Sequence, residues 1–135
     1  MIYLAAGKSS RYGSNKLLEM VDGKPMFTHL LDILTNMKEE EPHRYELVVV
    51  TAYDEIEEYV KELPVKVVRN HHQELGASHS IKLGLEACGE IGQHDHVMFA
   101  VADQPYIQED ELFGFIHMKI LQEVSLVAFR MSFYI

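Results

Sequence analysis

The residues best suited to chemistry lie in one stretch near the start of the chain, LAAGKSSRYGSNK at positions 4–16. Its glycines are Gly7 and Gly13, and Arg11 and Lys16 are among its cations. Glycine lets a backbone turn tightly and bring its N–H groups close to a ligand. Because these cations stand in an otherwise acidic protein, we expect residues 7–16, here called the glycine loop, to hold an anion. The alternative is an ordinary turn between a strand and a helix with two surface cations.

The spacing of the glycine loop excludes two common phosphate-binding motifs. A Walker A motif has four residues between its glycines, and Lys and Ser or Thr directly follow the second. Here five residues separate Gly7 from Gly13, and Lys16 comes three positions later. The GxGxxG fingerprint of dinucleotide-binding folds does not follow the first apolar run either. The loop is therefore of a third kind.

The elements that must position this loop alternate between strands and helices. Apolar runs predict strands at residues 1–4, 47–51, 65–69, 96–102 and 125–129. Apolar residues at helical spacing predict helices over 27–38, 56–63, 81–88 and 112–120. Pro25 suits the start of the first helix, Pro64 ends the second, and Ser78 or Ser80 is expected to cap the third.

This alternation predicts an α/β fold with a three-layer, Rossmann-like, mostly parallel sheet and helices on both faces. Ligands of such sheets bind beyond the carboxyl ends of the strands, where the strand order reverses. We expect the order 3-2-1-4, with the first and fourth strands side by side. That order brings the glycine loop next to Asp103, which follows the fourth strand.

Asp103 places a carboxylate at the end of an apolar strand, where an unpaired charge is costly. A helix cap or a salt bridge would explain it structurally. Beside a phosphate anion in the glycine loop, however, a carboxylate has a second use, because Mg²⁺ takes one or two carboxylates, several waters and phosphate oxygens as ligands. We therefore expect Asp103 to be a metal ligand.

The glycine loop resembles the LAAGxSxRxGxxK signature of the MobA-like nucleotidyltransferases, which wraps the triphosphate of an NTP. Asp103-Gln104-Pro105 resembles the DQP element of that family, whose Asp binds the metal. Residues 70–80 resemble its middle motif, N-x5-G-x-S-x-S, which lines the base and ribose. The resemblance implies catalytic roles for Arg11, Lys16 and Asp103. It implies nucleotide binding by Leu4, Ala5, Ala6, Gly7, Ser10, Arg11, Lys16, Asn70, Gly76, Ser78 and Ser80.

Details of the motifs resemble the cytidylyl branch of the family more than the guanylyl branch. These details are Ala6, the Asn-Lys-Leu-Leu run at 15–18, and Gln104. The resemblance thus implies a magnesium-dependent molybdenum cofactor cytidylyltransferase, which moves CMP from CTP to molybdopterin and releases pyrophosphate. Two alternatives stay open: a nucleotidyltransferase of the same fold that uses CTP or another NTP and acts on a sugar phosphate or other phosphorylated small molecule, or a nucleotide-binding module without catalysis.

Length and composition set the outer limits. The 135 residues predict one domain, and the resemblance implies a nucleotidyltransferase domain of nucleotide-diphospho-sugar transferase type over residues 1–135. Family members run longer, which implies truncation, with the C-terminal part of the family missing. The formal charge of −9 argues against nucleic acid or an anionic membrane as partner. One cysteine and no membrane-length apolar run predict a cytoplasmic protein. The histidines match no common zinc spacing.

Overall fold

The structure, a computed structural model, describes residues 1–8, 15–121 and 126–128. In chain order its elements are β1 (Ile2–Ala5), β2 (Met20–Val21), β3 (Lys24–Pro25), α1 (Met26–Glu40), β4 (Val48–Thr51), α2 (Asp54–Val60), β5 (Lys66–Arg69), α3 (Ala77–Ala87), β6 (Val97–Val101), α4 (Glu109–Leu121) and β7 (Leu126–Ala128). Short 3-10 turns lie at Lys16–Leu18 and Gln73–Leu75.

The centre of the fold is a five-stranded sheet in the order β5-β4-β1-β6-β7, and all its pairings are parallel. The predicted order is confirmed, because β1 lies between β4 and β6, the second and fourth strands of the prediction. A second, two-stranded antiparallel sheet pairs β2 with β3 ahead of α1.

Both faces of the central sheet are covered, since side chains alternate between them along each strand. Tyr3 and Val49 belong to a buried cluster that includes side chains of α1, α2 and α4. Their neighbours Ile2 and Val48 belong to a second cluster, against which α3 packs. The predicted three layers are therefore present. No helix within the described ranges is long and apolar enough to cross a membrane.

The predicted end of α2 and the predicted cap of α3 are wrong. α2 ends at Val60 rather than at residue 63, because a residue that precedes proline, here Leu63 before Pro64, disfavours the helical conformation. The predicted serine cap of α3 is also wrong. α3 begins at Ala77, directly after Gly76, whose φ of +79° turns the chain into the helix without a side-chain cap.

The close packing of α3 on β1 gives a first testable prediction. A methyl group added at Gly84 would lie 2.5 Å from Cγ2 of Ile2, so Gly84→Ala should lower the free energy of unfolding by about 1–3 kcal/mol. The matched control is Gly114→Ala in α4, which meets no described atom within 4 Å. It should raise the free energy of unfolding by about 0.5–1 kcal/mol. Urea unfolding of both variants measures the difference, and changes of the same sign would contradict this packing.

Candidate active site at the carboxyl edge of the sheet

The four adjacent strands β5, β4, β1 and β6 end at one edge of the sheet. Their registers pair Arg69 with Thr51, Thr51 with Ala5, and Leu4 with Val101. Because the strands are parallel, the connections that follow them share this edge, which we call the carboxyl edge. It is the edge at which open α/β sheets bind ligands, where the strand order reverses.

The start of the glycine loop and Asp103 meet at the carboxyl edge. The N–H of Ala102 donates to the carbonyl of Leu4 at 3.0 Å, so the chain after β6 stays paired with β1 up to the residue before Asp103. Counted from the pairing of Leu4 with Val101, Asp103 is level with Ala6. Neighbouring strands lie about 4.8 Å apart. The two groups expected to share a site are therefore neighbours.

The carboxylate of Asp103 is exposed, and no hydrogen bond or ion pair joins it to another residue that the structure describes. It is not a helix cap, because α4 begins at Glu109. The pKa of Tyr3 is raised well above its ordinary value, first by burial and next by the negative charge of Asp103. Although no group of three or more His, Cys, Asp or Glu residues suited to a metal occurs in the described ranges, one exposed carboxylate fits Mg²⁺, which relies on water and phosphate oxygens.

Polar side chains from the β4 side hold the backbone where the glycine loop begins. The hydroxyl of Thr51, a fully buried residue, donates to the carbonyl of Ala5 at 3.0 Å. The Thr51 hydroxyl oxygen also accepts a hydrogen bond from the N–H of Tyr53 at 3.2 Å. The Tyr53 hydroxyl in turn donates to the carbonyl of Gly7. Two carbonyls of this segment are thus turned toward β4 and the connection after it.

A third carbonyl, that of Ala6, accepts a hydrogen bond from a residue of the middle motif at 70–80. The Nε2 of Gln73 donates to the carbonyl of Ala6 at 2.8 Å. The carbonyls at 5–7 therefore all accept hydrogen bonds from side chains, whereas the N–H groups at 6–8 donate to no acceptor among the described residues. Successive N–H groups bind anions where the backbone turns, so these three are the donors to consider for an anion.

The later part of the glycine loop is anchored by a 3-10 turn. The side-chain oxygen of Asn15 accepts from the N–H of Leu17 at 3.0 Å, and Leu17 is buried. Lys16, between them, is exposed. Ser10 and Arg11, both predicted to contact the nucleotide, lie outside the described residues.

The middle motif supplies buried and exposed groups at the carboxyl edge. Asn70 follows β5 and is 2% exposed; its Nδ2 donates to Oγ of the buried Ser80 at 2.8 Å, and its Oδ1 accepts from the N–H of His72 at 2.8 Å. Gly76 and Ser78 are exposed, and Oγ of Ser78 donates to the carbonyl of Leu75 at 3.4 Å. Asn70 and Ser80 thus fix the shape of the segment that carries the motif.

The tie between Asn70 and Ser80 gives a second prediction. Asn70→Ala should lower the free energy of unfolding by about 1–3 kcal/mol, because it leaves the Ser80 hydroxyl and the N–H of His72 buried or half-buried without their partner. Asn36→Ala, at an exposed position of α1, is the matched control and should be neutral or slightly stabilising. Thermal unfolding compares the two proteins. Equal melting temperatures would show that Asn70 does not hold this segment.

A polar cleft of about 300 Å³ opens between the glycine loop and the end of β5. Its lining residues are Lys8, Ala52, Arg69, Asn70, His71, Gln73 and Glu74. Nη1 of Arg69 donates to Glu57 Oε2 at 2.6 Å and to Asp54 Oδ1 at 2.7 Å, and these hydrogen bonds raise the pKa of Arg69. The pKa of Glu74 is lowered, first by a hydrogen bond from its own backbone N–H and then by His72.

Four of the residues that shape this site are not among those expected from the sequence. Lys8 and Arg69 line the polar cleft, while Tyr53 and Gln73 hold the backbone of the loop. One signal was available for all four, since each lies within four residues of the end of a predicted strand. In a parallel sheet such positions gather at the carboxyl edge.

A larger cavity of about 1090 Å³ lies at the opposite edge of the sheet, where the strands begin. His94, His96 and the thiol of Cys88 line it. Its lysines serve the structure, because Lys38 donates to the carbonyl of Pro42 and Lys66 to that of Ala87, the last residue of α3. Cations at helix C-termini complement the helix dipole, so we assign both lysines a structural role.

This chain matches a known protein family and is similar to named relatives. A family profile described as a MobA-like NTP transferase domain matches residues 1–118. A probable molybdenum cofactor guanylyltransferase from Thermococcus sibiricus is 38% identical over 60 residues, which are 44% of this chain and 29% of the relative. The bifunctional protein GlmU from Desulfitobacterium hafniense strain Y51 is 29% identical over 121 residues, 88% of this chain and 25% of the relative.

A solved structure agrees with the fold. The crystal structure of Rv0371c from Mycobacterium tuberculosis H37Rv superposes with a TM-score of 0.64 at 18% identity, covering 89% of this chain and 59% of that one. The predicted fold class is confirmed. The chain spans less than a third of the length of the two relatives above.

Proposed function

Because the chain belongs to the MobA-like NTP transferase family, we propose that it transfers a nucleoside monophosphate from an NTP to a phosphorylated acceptor and releases pyrophosphate. One observation carries the proposal. The N–H groups at 6–8 are left without described acceptors beside the exposed carboxylate of Asp103. An anion cradle next to a lone carboxylate suits a triphosphate and its divalent cation.

In the proposed reaction an oxygen of the acceptor phosphate attacks the α-phosphorus in line. The new bond joins that oxygen to the α-phosphorus, the bond from the α-phosphorus to the bridging oxygen breaks, and pyrophosphate leaves with the electron pair. The N–H groups at 6–8 bind phosphate oxygens, and Lys16 and Arg11 complement their charge. Asp103 would hold Mg²⁺, which when bound supplies positive charge to the triphosphate. The protein thus contributes positioning and electrostatics.

The finer proposal names CTP as the donor and molybdopterin as the acceptor. Its support is the likeness of Ala6, of the run at 15–18 and of Gln104 to the cytidylyl branch. The T. sibiricus relative is named a guanylyltransferase, which makes GTP the first donor to compare with CTP.

An assay of pyrophosphate release over a grid of donors and acceptors tests both levels of the proposal. CTP, GTP, UTP and ATP are each combined with molybdopterin, a sugar 1-phosphate or no acceptor, with magnesium present throughout. Release that requires CTP and molybdopterin supports the finer proposal. Release with GTP, or with the sugar phosphate, keeps the nucleotidyl transfer and replaces the donor or the acceptor. Nucleotide binding without release from any combination would contradict the enzyme and favour a binding module.

A further inference from the structure

Tyr53 lies where it can set the geometry of the glycine loop without being part of that loop. Its N–H donates to the Thr51 hydroxyl, which itself donates to the carbonyl of Ala5. Its half-buried ring packs against the core cluster on the α1 face. From this position the Tyr53 hydroxyl donates to the carbonyl of Gly7. Both ends of Tyr53 are therefore connected to the strand and loop of the candidate site.

Because the peptide bond is planar, a hydrogen bond that fixes one carbonyl also fixes the direction of the next N–H group. In a trans peptide the C=O of one residue and the N–H of the next point in opposite directions. The carbonyl of Ala5 points toward β4, so the N–H of Ala6 points toward the β6 side, where Asp103 follows. By the same geometry, the hydrogen bond from Tyr53 to Gly7 turns the N–H of Lys8 away from the connection after β4.

We propose that Tyr53 is a positioning residue for phosphate binding, because its hydroxyl fixes the peptide that joins Gly7 to Lys8. This inference rests on the proposed function, in which the N–H groups at 6–8 hold the triphosphate. Gln73 holds the preceding peptide in the same manner, but it also lines the polar cleft. Tyr53 is not among the residues that line that cleft, so removal of its hydroxyl leaves the polar groups of the cleft unchanged.

The test is the variant Tyr53→Phe, which keeps the ring in the core and removes the hydroxyl. We expect it to bind CTP and inorganic pyrophosphate about 2- to 12-fold more weakly, the effect of one hydrogen bond. Cytidine, which has no phosphate, should bind the variant and the wild type equally. Calorimetry measures CTP and pyrophosphate, and ligand-observed NMR measures cytidine. Pyrophosphate keeps the result independent of the preferred base.

Tyr59→Phe is the matched control. Tyr59 lies in α2, and its hydroxyl reaches Asp32 Oδ1 at 3.4 Å rather than the loop. The Tyr59→Phe variant should bind CTP, pyrophosphate and cytidine as the wild type does.

The outcomes separate this inference from the proposed function. Wild-type affinity of Tyr53→Phe for CTP and pyrophosphate would overturn the positioning role while leaving nucleotidyl transfer intact. An equal loss for cytidine, CTP and pyrophosphate would also overturn it, since general unfolding affects all ligands. A wild-type protein that binds neither CTP nor pyrophosphate would overturn the anion-binding loop, and both proposals with it. A loss confined to the two phosphate-bearing ligands supports the positioning role.

Discussion

Asp103→Asn is expected to reduce magnesium-dependent turnover by about two to three orders of magnitude, the usual cost of removing a group that stabilises transition-state charge. Asparagine keeps the shape of the side chain but removes the negative charge that attracts Mg²⁺. Metal-free CTP binding should change little, or improve slightly, because repulsion between the carboxylate and the triphosphate disappears. Stability should be unchanged, because Asp103 is exposed and forms no ion pair with a described residue.

The matched control for this variant is Asp110→Asn, at an exposed position in the first turn of α4. It removes the same charge from the same surface segment and should leave turnover unchanged. Turnover is measured over a magnesium titration, and thermal unfolding checks both proteins. If the wild type shows no turnover, the magnesium enhancement of CTP binding replaces it as the readout. Full retention of the magnesium effect in Asp103→Asn would end the catalytic assignment of this residue.

Lys16→Ala is expected to weaken CTP binding by about 1.5–3 kcal/mol, because a charge-assisted hydrogen bond to phosphate is lost. This corresponds to roughly a 10- to 150-fold increase in Kd. The position of Lys16 is well defined, since Asn15 caps the turn and the buried Leu17 anchors it to the core. Lys16→Arg should recover only part of the affinity, because a planar guanidinium does not replace a compact ammonium at the same phosphate contact.

Lys61→Ala is the control for general charge effects. Lys61 follows α2 at the end opposite the site, and it forms an exposed ion pair with Glu58 at 2.6 Å. Its replacement removes one positive charge but should leave the Kd for CTP unchanged. Calorimetry with all three variants decides the role of Lys16. Equal affinities of Lys16→Ala and Lys61→Ala would assign Lys16 to the solvated surface.

Much of the fold follows from local pattern. The run at 47–51 is apolar enough to require cover on both faces, and it forms the buried strand β4. The helices form where apolar residues recur at the spacing that places them on one face. Boundaries follow less well, because α2 stops three residues short of the predicted end and α3 starts without a serine cap. Competition among nearby signals, here the effect of Pro64 on Leu63, decides such ends.

The candidate site divides in a similar way. The motif spacing by itself pointed to the glycine loop, to Asp103 and to the segment that begins at Asn70. It did not distinguish a ligand contact from a structural role within that segment. Nucleotide contact by Asn70 and Ser80 stays a prediction, and the structure adds that their side chains are hydrogen-bonded to each other. That distinction depends on burial, which sequence spacing does not report.

The sequence by itself determined the layers of the fold, the glycines and cations that make the glycine loop a candidate anion site, and the likeness to a nucleotidyltransferase family, because each depends on residue type and local spacing. The tertiary structure decided which side chains orient the loop. Tyr53 reaches Gly7 across 46 positions, and Gln73 reaches Ala6 across 67. Nothing local marks these two among the polar residues near strand ends. They become partners of the loop because parallel strands bring distant chain segments to one edge, where the backbone carbonyls need donors.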